Sequence, residues 1–398
     1  MTGPAKGAHS GRRTARPTRR RVLAAAPQAA AVIGLGSAAG ALPPDPARAA
    51  DEGKVEDLKN AGDGGNAMPP LATRIDLAVQ AGVLPGLHAV HVEQGGEVVA
   101  ARYFTGEDSE WGIDLGTVTF GPDTLHDLRS ITKSITSLLY GIALERGEVP
   151  PLDAPLMDAF PSYAHLSTAA HQSMRISHAL NMSLGLEWNE DVPYNHPDNS
   201  EIAMEMADDR WQFILTRPFV ALPGEVWRYN GGATAMIGHV IERGTGIDLA
   251  DYARERLLAP LGIDSFSWSR GWDGVAAAAS GMRLTAPGLA RIGRMVLDGG
   301  VFEGRRIVPA FWIEALRTAE ITTSFGIGYS RSWYITEQPL GRSGGTATTL
   351  SAMGNGGQRL FVIPSLNLVG VIYCGKYNEP DQWLNPMIVL QRLILADL

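Results

Sequence analysis

The arrangement of strand-like and helical segments along residues 71–398 constrains the fold more than any other feature of this sequence. Segments of strand composition, bounded by turns rich in Gly and Asn, lie near both ends of this region. They are residues 87–93, 97–104, 329–335, 358–363 and 368–373. Residues from about 150 to 290 show mostly helical patterns instead. We therefore predict an α/β (α+β) protein in which strands from both termini form one antiparallel sheet, flanked by helices, with an inserted mostly helical region.

The composition predicts a packed soluble globule and excludes several kinds of partner. Of the 398 residues, 45% are hydrophobic and 19% are charged. The net charge of -8 argues against nucleic acid or an anionic membrane as the main partner. The single cysteine, Cys374, excludes an intrachain disulfide and a cysteine-based zinc site. The nine histidines show no metal-ligand spacing, so we predict no metal and no cofactor.

Residues 1–49 have the organisation of an export signal. Six arginines between residues 12 and 21 precede an apolar run at 22–41, and Ala47-Arg48-Ala49 is a small-x-small cleavage site. The sequence around the arginines resembles a twin-arginine motif, which implies export in the folded state. We predict an extracellular, cell-envelope or periplasmic protein, with a linker at 50–70. The alternative is an uncleaved signal anchor, but this Gly- and Ala-rich run is a poor permanent span, so we predict no stable membrane span in the mature form.

A helical pattern that begins at Ile131 has two reactive side chains at its start. Ser130 and Lys133 are three residues apart and share one face of the first turn. A helix N-terminus stabilises negative charge, and a lysine packed among Ile and Leu side chains shifts towards its neutral form, which can accept a serine proton. The spacing therefore indicates covalent catalysis. The alternative is a snorkelling lysine beside a serine that caps the helix.

The scarcity of lysine favours the catalytic interpretation. The chain has five lysines among 34 Lys and Arg residues, which leaves 29 arginines (34 − 5). Arginine does not lose its proton in proteins, whereas lysine can. A chain that prefers arginine this strongly and still has lysine at position 133 is consistent with a need for a titratable amine there.

Three motifs together resemble those of the serine hydrolases related to class C β-lactamases. They are Ser130-Ile131-Thr132-Lys133, the Pro-Gly-x-x-Trp-x-Tyr loop that ends at Tyr229, and the Gly-Asn-Gly-Gly-Gln run at 354–358. That superfamily also contains penicillin-binding proteins, D-amino-acid peptidases, esterases and 6-aminohexanoate-dimer hydrolases, and the pattern is closest to the last two. The resemblance extends from about residue 75 to the C-terminus. It implies a β-lactamase/transpeptidase-like hydrolase domain over residues 71–398.

The resemblance also implies roles for individual residues. Ser130 corresponds to the nucleophile, Lys133 to its proton acceptor, and Tyr229 to the tyrosine that shares the acid/base work. The backbone N–H groups of Ser130 and Asn355 would form the oxyanion hole. We expect the nearby lysine to lower the pKa of Tyr229, which is ordinarily near 10. The alternatives are a core aromatic at 229 and a plain turn before a strand at 354–357.

The sequence departs from the family pattern at two points. The family's Tyr-x-Asn reads Tyr229-Asn230-Gly231 here, so a glycine occupies the asparagine position. The third motif lacks the Lys or His that helps to hold a substrate carboxylate, which argues against β-lactamase and DD-peptidase activity. Trp188 falls where amide-hydrolase relatives have a pocket aromatic. We expect Trp188, Asn230 and Gly356 to contact the substrate, and a core position for Trp188 is the alternative.

The sequence thus predicts an exported serine hydrolase that acts on small ester or amide substrates through an acyl-enzyme on Ser130. A penicillin-recognising or envelope-binding protein with little or no turnover is the alternative from another class. A noncatalytic scaffold is a third possibility, in which Ser130→Ala would change no activity. A Ser-His-Asp triad is disfavoured because Ser130 does not lie in a Gly-x-Ser-x-Gly elbow.

Overall fold

The structure, a computed structural model, describes residues 69–398. The predicted export signal and nearly all of the linker therefore lie outside the described residues. The described strands are, in chain order, β1 (Leu87–Gln94), β2 (Glu97–Tyr103), β3 (Thr105–Glu110), β4 (Ile113–Thr119), β5 (His126–Asp127), β6 (Phe266–Trp268), β7 (Met282–Leu284), β8 (Val301–Phe302), β9 (Arg305–Arg306), β10 (Ile321–Thr322), β11 (Gly328–Ser330), β12 (Trp333–Pro339), β13 (Thr346–Gly354), β14 (Gln358–Ile363) and β15 (Leu368–Cys374).

The helices are concentrated between β5 and β10. The α-helices are α1 (Leu71–Gln80), α2 (Ile131–Glu145), α3 (Ala169–Ser173), α4 (Ile176–Leu180), α5 (Ser200–Glu205), α6 (Arg210–Leu215), α7 (Gly231–Thr245), α8 (Leu249–Ala253), α9 (Ala286–Leu297), α10 (Ala310–Ala315) and α11 (Leu384–Met387). Turns of π-helix at Arg254–Leu258 and Ile388–Ile394 continue α8 and α11. Short 3₁₀ segments lie at Leu156–Ala159, Pro161–Leu166, Ala259–Leu261, Pro364–Leu366 and Leu395–Asp397.

An eight-stranded sheet is at the centre of the fold. Its strand order is β10-β11-β12-β13-β14-β15-β1-β2, and every neighbouring pair is antiparallel. The first strand of the region, β1, pairs with the last, β15, so that His91 lies opposite Val371. The predicted sheet built from both termini is therefore confirmed, and the mostly helical insertion follows β5.

Alternating side chains along β14 divide the core into two layers. Leu360 and Val362 belong to the layer that contains α2 and α9, whereas Phe361 and Ile363 point to the other face and pack with α1 and the C-terminal helix. Helix α9 approaches the sheet closely at Gly293, where a Cβ atom would lie 2.5 Å from Val369. Glycine is needed there because any side chain would collide with β15.

Several boundaries differ from the sequence-based expectation. The sequence between β2 and β5 predicts a loop rich in Gly and Asp, but β3 and β4 form a two-stranded ribbon there. β3 is polar, and the apolar alternation of β4 stops after Ile113 and Leu115, so neither strand shows a sustained alternating pattern. Residues 329–335 form two paired strands instead of one, because Arg331 and Ser332 both take positive φ angles and reverse the chain.

The sequence pattern predicts two further helices, an amphipathic one over residues 173–182 and an apolar closing one over 385–395. The first is limited to α4, and the second is present as α11 and the π-helical turns that follow it. No sequence pattern predicted β13. Among residues 69–398, no helix combines the length and apolarity that crossing a membrane requires.

Candidate active site

A short turn after β5 places Ser130 at the start of α2. The backbone N–H of Leu128 donates to the Met282 carbonyl at 3.0 Å, which fixes the turn to β7. Arg129 then adopts a φ of 49°, a left-handed conformation that is costly for a residue with a side chain. Ser130 follows, 8% exposed, and lines a cavity of about 220 Å³. The strained turn therefore brings a buried serine hydroxyl to the wall of an internal cavity.

Lys133 is fully enclosed, and its ammonium group has three acceptors. Its Nζ lies 3.2 Å from Ser130 Oγ, 3.0 Å from Glu201 Oε2 and 3.2 Å from the carbonyl oxygen of Ala279. Burial alone would lower the pKa of Lys133, but the carboxylates of Glu201 and Glu190 outweigh it, and the pKa is raised. The expectation of a neutral lysine among Ile and Leu side chains was therefore wrong, because Nζ faces a carboxylate.

Tyr229 lies beside both residues. It is hydrogen-bonded to Ser130, and Lys133 Nζ lies 4.8 Å from the centre of its ring. Burial raises the pKa of Tyr229 well above its usual value, and Tyr334 and the carboxylates add to the rise. The expectation that Lys133 lowers this pKa was wrong, since Lys133 is already paired with Glu201. The phenol is protonated and can donate.

Two glutamates complete the cluster, Glu201 buried and Glu190 half-buried, and the sequence pattern predicts neither of them. Glu201 is 1% exposed at the start of α5, where the Asn199 side chain caps the helix and fixes its first turn. The carboxyl groups of Glu201 and Glu190 are hydrogen-bonded to each other, and Ser280 also bonds to Glu201. Burial acts to raise the pKa of Glu201, but the pairing with Lys133 outweighs burial, and the pKa is lowered.

Glu190 is held by three donors from its own loop and from α7. Trp188 Nε1 and the Gly231 N–H each donate to Oε1 at 2.6 Å, and the Tyr194 hydroxyl donates to Oε2 at 2.7 Å. Burial and the charge of Glu201 raise the pKa of Glu190 to about 7, and Lys133 opposes this rise. Two adjacent carboxyl groups rarely both ionise, so Glu190 gains its proton close to neutral pH while Glu201 stays ionised.

Gly231 is the sequence signal that points to Glu201. A Cβ atom at residue 231 would lie 2.3 Å from Glu201 Oε2. The carboxylate therefore occupies the space that a side chain at this motif position would fill. The sequence shows that a glycine replaces the family's asparagine at position 231. Only the fold shows that the Glu201 side chain fills this space beside Lys133.

Asn355 and Ser130 line the same cavity from opposite chain segments. The end of β13 approaches the turn before α2 so closely that a Cβ at Gly354 would lie 2.2 Å from the Leu128 carbonyl oxygen. The side chain of Asn355 accepts the N–H of Asn378 at 3.2 Å, which fixes the loop. This packing brings together the two segments whose N–H groups were predicted to form the oxyanion hole.

The three residues predicted to contact substrate have other contacts in the structure. Trp188 is 3% exposed, does not line this cavity, and supports Glu190. Asn230 caps α7 by accepting the N–H of Ala233 at 3.0 Å. Gly356 takes a φ of 91° and its N–H donates to Gln382. Their role in substrate contact stays a prediction. Trp188 occupies the core position that was the alternative to a place in the substrate pocket.

A family model described as Beta-lactamase matches residues 71–389. The chain belongs to the beta-lactamase family. A 6-aminohexanoate-dimer hydrolase of Paenarthrobacter ureafaciens is 27% identical over 312 residues, which cover 73% of this chain and 72% of that protein. The match confirms the resemblance inferred from the three motifs and identifies the chain as a hydrolase of this superfamily.

Solved structures of other proteins share the fold of this beta-lactamase family member. EstCE1, a hydrolase with promiscuous acyltransferase activity, aligns with a TM-score of 0.64 at 15% identity, covering 87% of this chain and 99% of that one. A class C beta lactamase from Rhodobacter sphaeroides aligns with a TM-score of 0.59 at 17% identity, covering 82% and 98%. The predicted β-lactamase/transpeptidase-like fold is therefore confirmed.

In this beta-lactamase family member the cation at the cavity is already paired. The Arg129 guanidinium lies 2.9 Å from Asp127 and stacks 4.6 Å from the centre of the Tyr377 ring. The other charged residue of the lining is Glu201, which is paired with Lys133. The described lining therefore offers no unpaired cation to a substrate carboxylate.

Three other buried residues lie close enough together to hold a metal ion: His88, Asp108 and His126. His88 Nδ1 lies 2.9 Å from His126 Nε2, and the other ring nitrogen of His126 lies 3.0 Å from the Asp127 carbonyl oxygen. Asp108 accepts the Tyr377 hydroxyl at 2.9 Å and pairs with Arg283. The cluster is a histidine pair beside an ion pair, in which His88 Nε2 is buried without a hydrogen-bond partner. Sequence spacing did not predict it because the three residues come from different strands.

The histidine pair makes stability depend on pH. Burial lowers the pKa of His88 to about 4 and that of His126 to about 3, although Asp108 opposes both shifts. Below pH 6.5 the unfolded chain takes up protons that the folded protein does not, so we expect the free energy of unfolding to fall between pH 6.5 and 4. The slope is up to about 1.4 kcal/mol per pH unit for each histidine. Urea unfolding across this range should show a smaller slope for His126→Gln and no change for the exposed His196→Gln.

Proposed function

We propose that this protein is an exported serine hydrolase that cleaves small ester or amide substrates through an acyl-enzyme on Ser130. The proposal is carried by the 3.2 Å contact between Lys133 Nζ and Ser130 Oγ at the wall of the cavity. A lysine held on a serine hydroxyl is the arrangement that nucleophilic catalysis requires. Tyr229, a protonated phenol bonded to Ser130, is suited to protonate the leaving group.

The oxyanion of the tetrahedral intermediate would be stabilised by the N–H groups of Ser130 and Asn355. Ser130 lies at the N-terminal end of α2, where the helix dipole favours negative charge. Asn355 follows β13 directly, so both donors lie in turns that adjoin a rigid strand or helix. Donors that do not move during the reaction stabilise the developing charge most effectively.

The size and lining of the cavity indicate that a small, uncharged acyl group of the substrate binds next to Ser130. It has a volume of about 220 Å³, and its lining includes hydroxyl and amide groups such as those of Ser109, Asn195 and Asn378. Arg129 is paired with Asp127, so a carboxylate would find no free partner. The activities of the relatives, a 6-aminohexanoate-dimer hydrolase and a hydrolase with promiscuous acyltransferase activity, agree with ester or amide substrates.

Export is part of the proposal and rests on the sequence. The arginines before residue 22, the apolar run and Ala47-Arg48-Ala49 support a cleaved signal that delivers the protein to the periplasm, the cell envelope or the medium. A single buried cysteine, Cys374, means that folding before export leaves no disulfide to be formed afterwards.

The first experiment is intact-mass analysis of the exported protein after incubation with a fluorophosphonate. We expect one adduct per chain, absent in Ser130→Ala, because a serine activated by Lys133 attacks phosphorus as it attacks a carbonyl. The same spectrum gives the mass of the mature chain, which we expect to begin after Ala49. Hydrolysis of short-chain esters should accompany labelling, with far slower turnover of a chromogenic cephalosporin.

The matched control is Ser137→Ala, which removes a buried hydroxyl without a hydrogen-bond partner from the same helix. It should label like the parent protein. An adduct that persists in Ser130→Ala would disprove the assignment of the nucleophile. Slow stoichiometric acylation without ester turnover would instead favour a penicillin-recognising or envelope-binding protein. The absence of any adduct would favour the third possibility, a noncatalytic scaffold.

A further inference from the structure

The groups that contact Ser130 do not include a free base in the resting state. Lys133 Nζ has three protons as an ammonium, and each has an acceptor: Ser130 Oγ, Glu201 Oε2 and the Ala279 carbonyl oxygen. Tyr229 is a half-buried phenol whose raised pKa keeps its proton in place at neutral pH. Neither side chain can take the serine proton until Lys133 has first lost one of its own.

The Glu201 carboxylate, which is hydrogen-bonded to Glu190, can accept the proton that Lys133 must lose. Glu201 Oε2 lies 3.0 Å from Lys133 Nζ, and both side chains are at most 2% exposed. No histidine is present in the described lining of the cavity. A buried ion pair becomes a neutral pair when the proton moves, which removes two charges from a poorly solvated site.

We propose that Glu201 is a positioning residue that acts as the proton acceptor of Lys133, so that the Lys133–Glu201 pair, rather than a lysine that is neutral at rest, forms the base for Ser130. The inference rests on the proposed function of Ser130 as the nucleophile. It follows from the 3.0 Å contact, from the space at Gly231 that Glu201 fills, and from the three acceptors around Nζ.

The proton and electron balance of acylation is as follows. The ammonium of Lys133 gives one proton to Glu201 Oε2, and the resulting amine takes the proton of Ser130 Oγ. The Oγ–carbon bond forms while the carbonyl π pair moves to its oxygen. When that pair returns, the bond to the leaving group breaks, and the leaving group takes a proton from Lys133 through the Tyr229 hydroxyl. Glu201 then returns its proton to Nζ, and water repeats the sequence to release the acid.

Glu190 adjusts how readily Glu201 accepts the proton. When Glu190 is protonated it donates to Glu201 and stabilises the Glu201 carboxylate, and when it ionises its charge raises the proton affinity of Glu201. The activity should therefore rise as Glu190 loses its proton near pH 7. The titratable and charged groups that face the pair from the surrounding elements are Lys133, Tyr194, Glu205, Tyr229 and Tyr329.

The deciding variant is Glu201→Gln, which keeps the shape and an acceptor oxygen but cannot take the proton. We expect kcat for a short-chain ester to fall about 100-fold at pH 7 with little change in KM, the scale of a lost acid/base contribution. Lys133 must then lose its proton to solvent, so kcat should rise with pH along the titration of Lys133 and approach the parent value once the amine is neutral. A residue that is only structural would lower kcat equally at every pH.

Gly231→Ala provides an independent variant in which Glu201 is chemically unchanged. Its methyl group would collide with Glu201 Oε2 and displace the carboxylate from Lys133, while the 231 N–H can still donate to Glu190. We expect kcat to rise with pH along the titration of Lys133, as in Glu201→Gln. Glu242→Gln, in which a half-buried glutamate away from the cluster loses its charge, should keep the parent profile.

Parent-like kcat and pH dependence in a folded Glu201→Gln would overturn the inference, as would a uniform loss at all pH values. Fluorophosphonate labelling separates this result from failure of the proposed function. A Glu201→Gln variant that still forms the adduct at Ser130 keeps the nucleophile assignment, whatever its pH profile. Absence of labelling in the parent protein would contradict the proposed function itself.

Discussion

Lys133→Met is expected to lower kcat for ester hydrolysis by about 10⁴-fold or more, with a much smaller change in KM. Loss of one member of a catalytic group that acts as a unit has effects on this scale. Lys133 Nζ joins Ser130 to Glu201 through contacts of 3.2 and 3.0 Å, so its removal leaves the serine without a route for its proton. Steady-state kinetics and the rate of fluorophosphonate labelling would measure the loss.

Lys133→Arg tests the chemistry of this residue separately from its charge. Arginine retains the positive charge beside Glu201 but does not give up a proton, so we expect it to be nearly as inactive as Lys133→Met. Lys376→Met is the control, because Lys376 is also mostly buried and paired, with Asp381 at 2.5 Å, and has no place in the proposed chemistry. An active Lys133→Arg enzyme would contradict proton transfer at this position.

Arg210→Met is expected to lower the free energy of unfolding by about 3–5 kcal/mol, the usual cost of removing one partner from a buried ion pair. The Arg210 side chain is 0% exposed and bonds to Glu205 at 2.9 Å and to Asp273 at 2.5 and 2.7 Å. Without it, two acidic groups remain in a site with little solvent. Urea unfolding at neutral pH would measure the change.

The matched control is an exposed ion pair of the same chemistry. Arg254 pairs with Asp251, and both side chains are 56% exposed. Arg254→Met should therefore change stability by less than about 1 kcal/mol. Similar losses for both variants would mean that burial does not decide the strength of the Arg210 cluster.

Because Glu205 and Glu201 lie on the same helix, α5, Arg210→Met should also slow labelling of Ser130.

The fold class and the reactive residues could be predicted because they depend on local patterns. Strand composition near both ends indicated the sheet, and the Ser130-x-x-Lys133 spacing placed both side chains on one turn of α2. The ribbon of β3 and β4 was not predicted, because β3 is polar and the apolar alternation of β4 stops after Ile113 and Leu115. The break in 329–335 was missed because positive φ angles at Arg331 and Ser332, neither of them glycine, have no sequence signal.

The sequence by itself determined that a helix begins with a serine and a lysine on one face, that a tyrosine loop and a glycine-rich turn follow in family order, and that position 231 has no side chain. Only the tertiary structure decided the charge state of that lysine. Glu201 is 68 residues away along the chain, and its contact with Lys133 exists because α2 and α5 both pack against α7. The pKa of a buried group depends on the charges that folding brings within a few ångströms, and spacing along the chain does not reveal them.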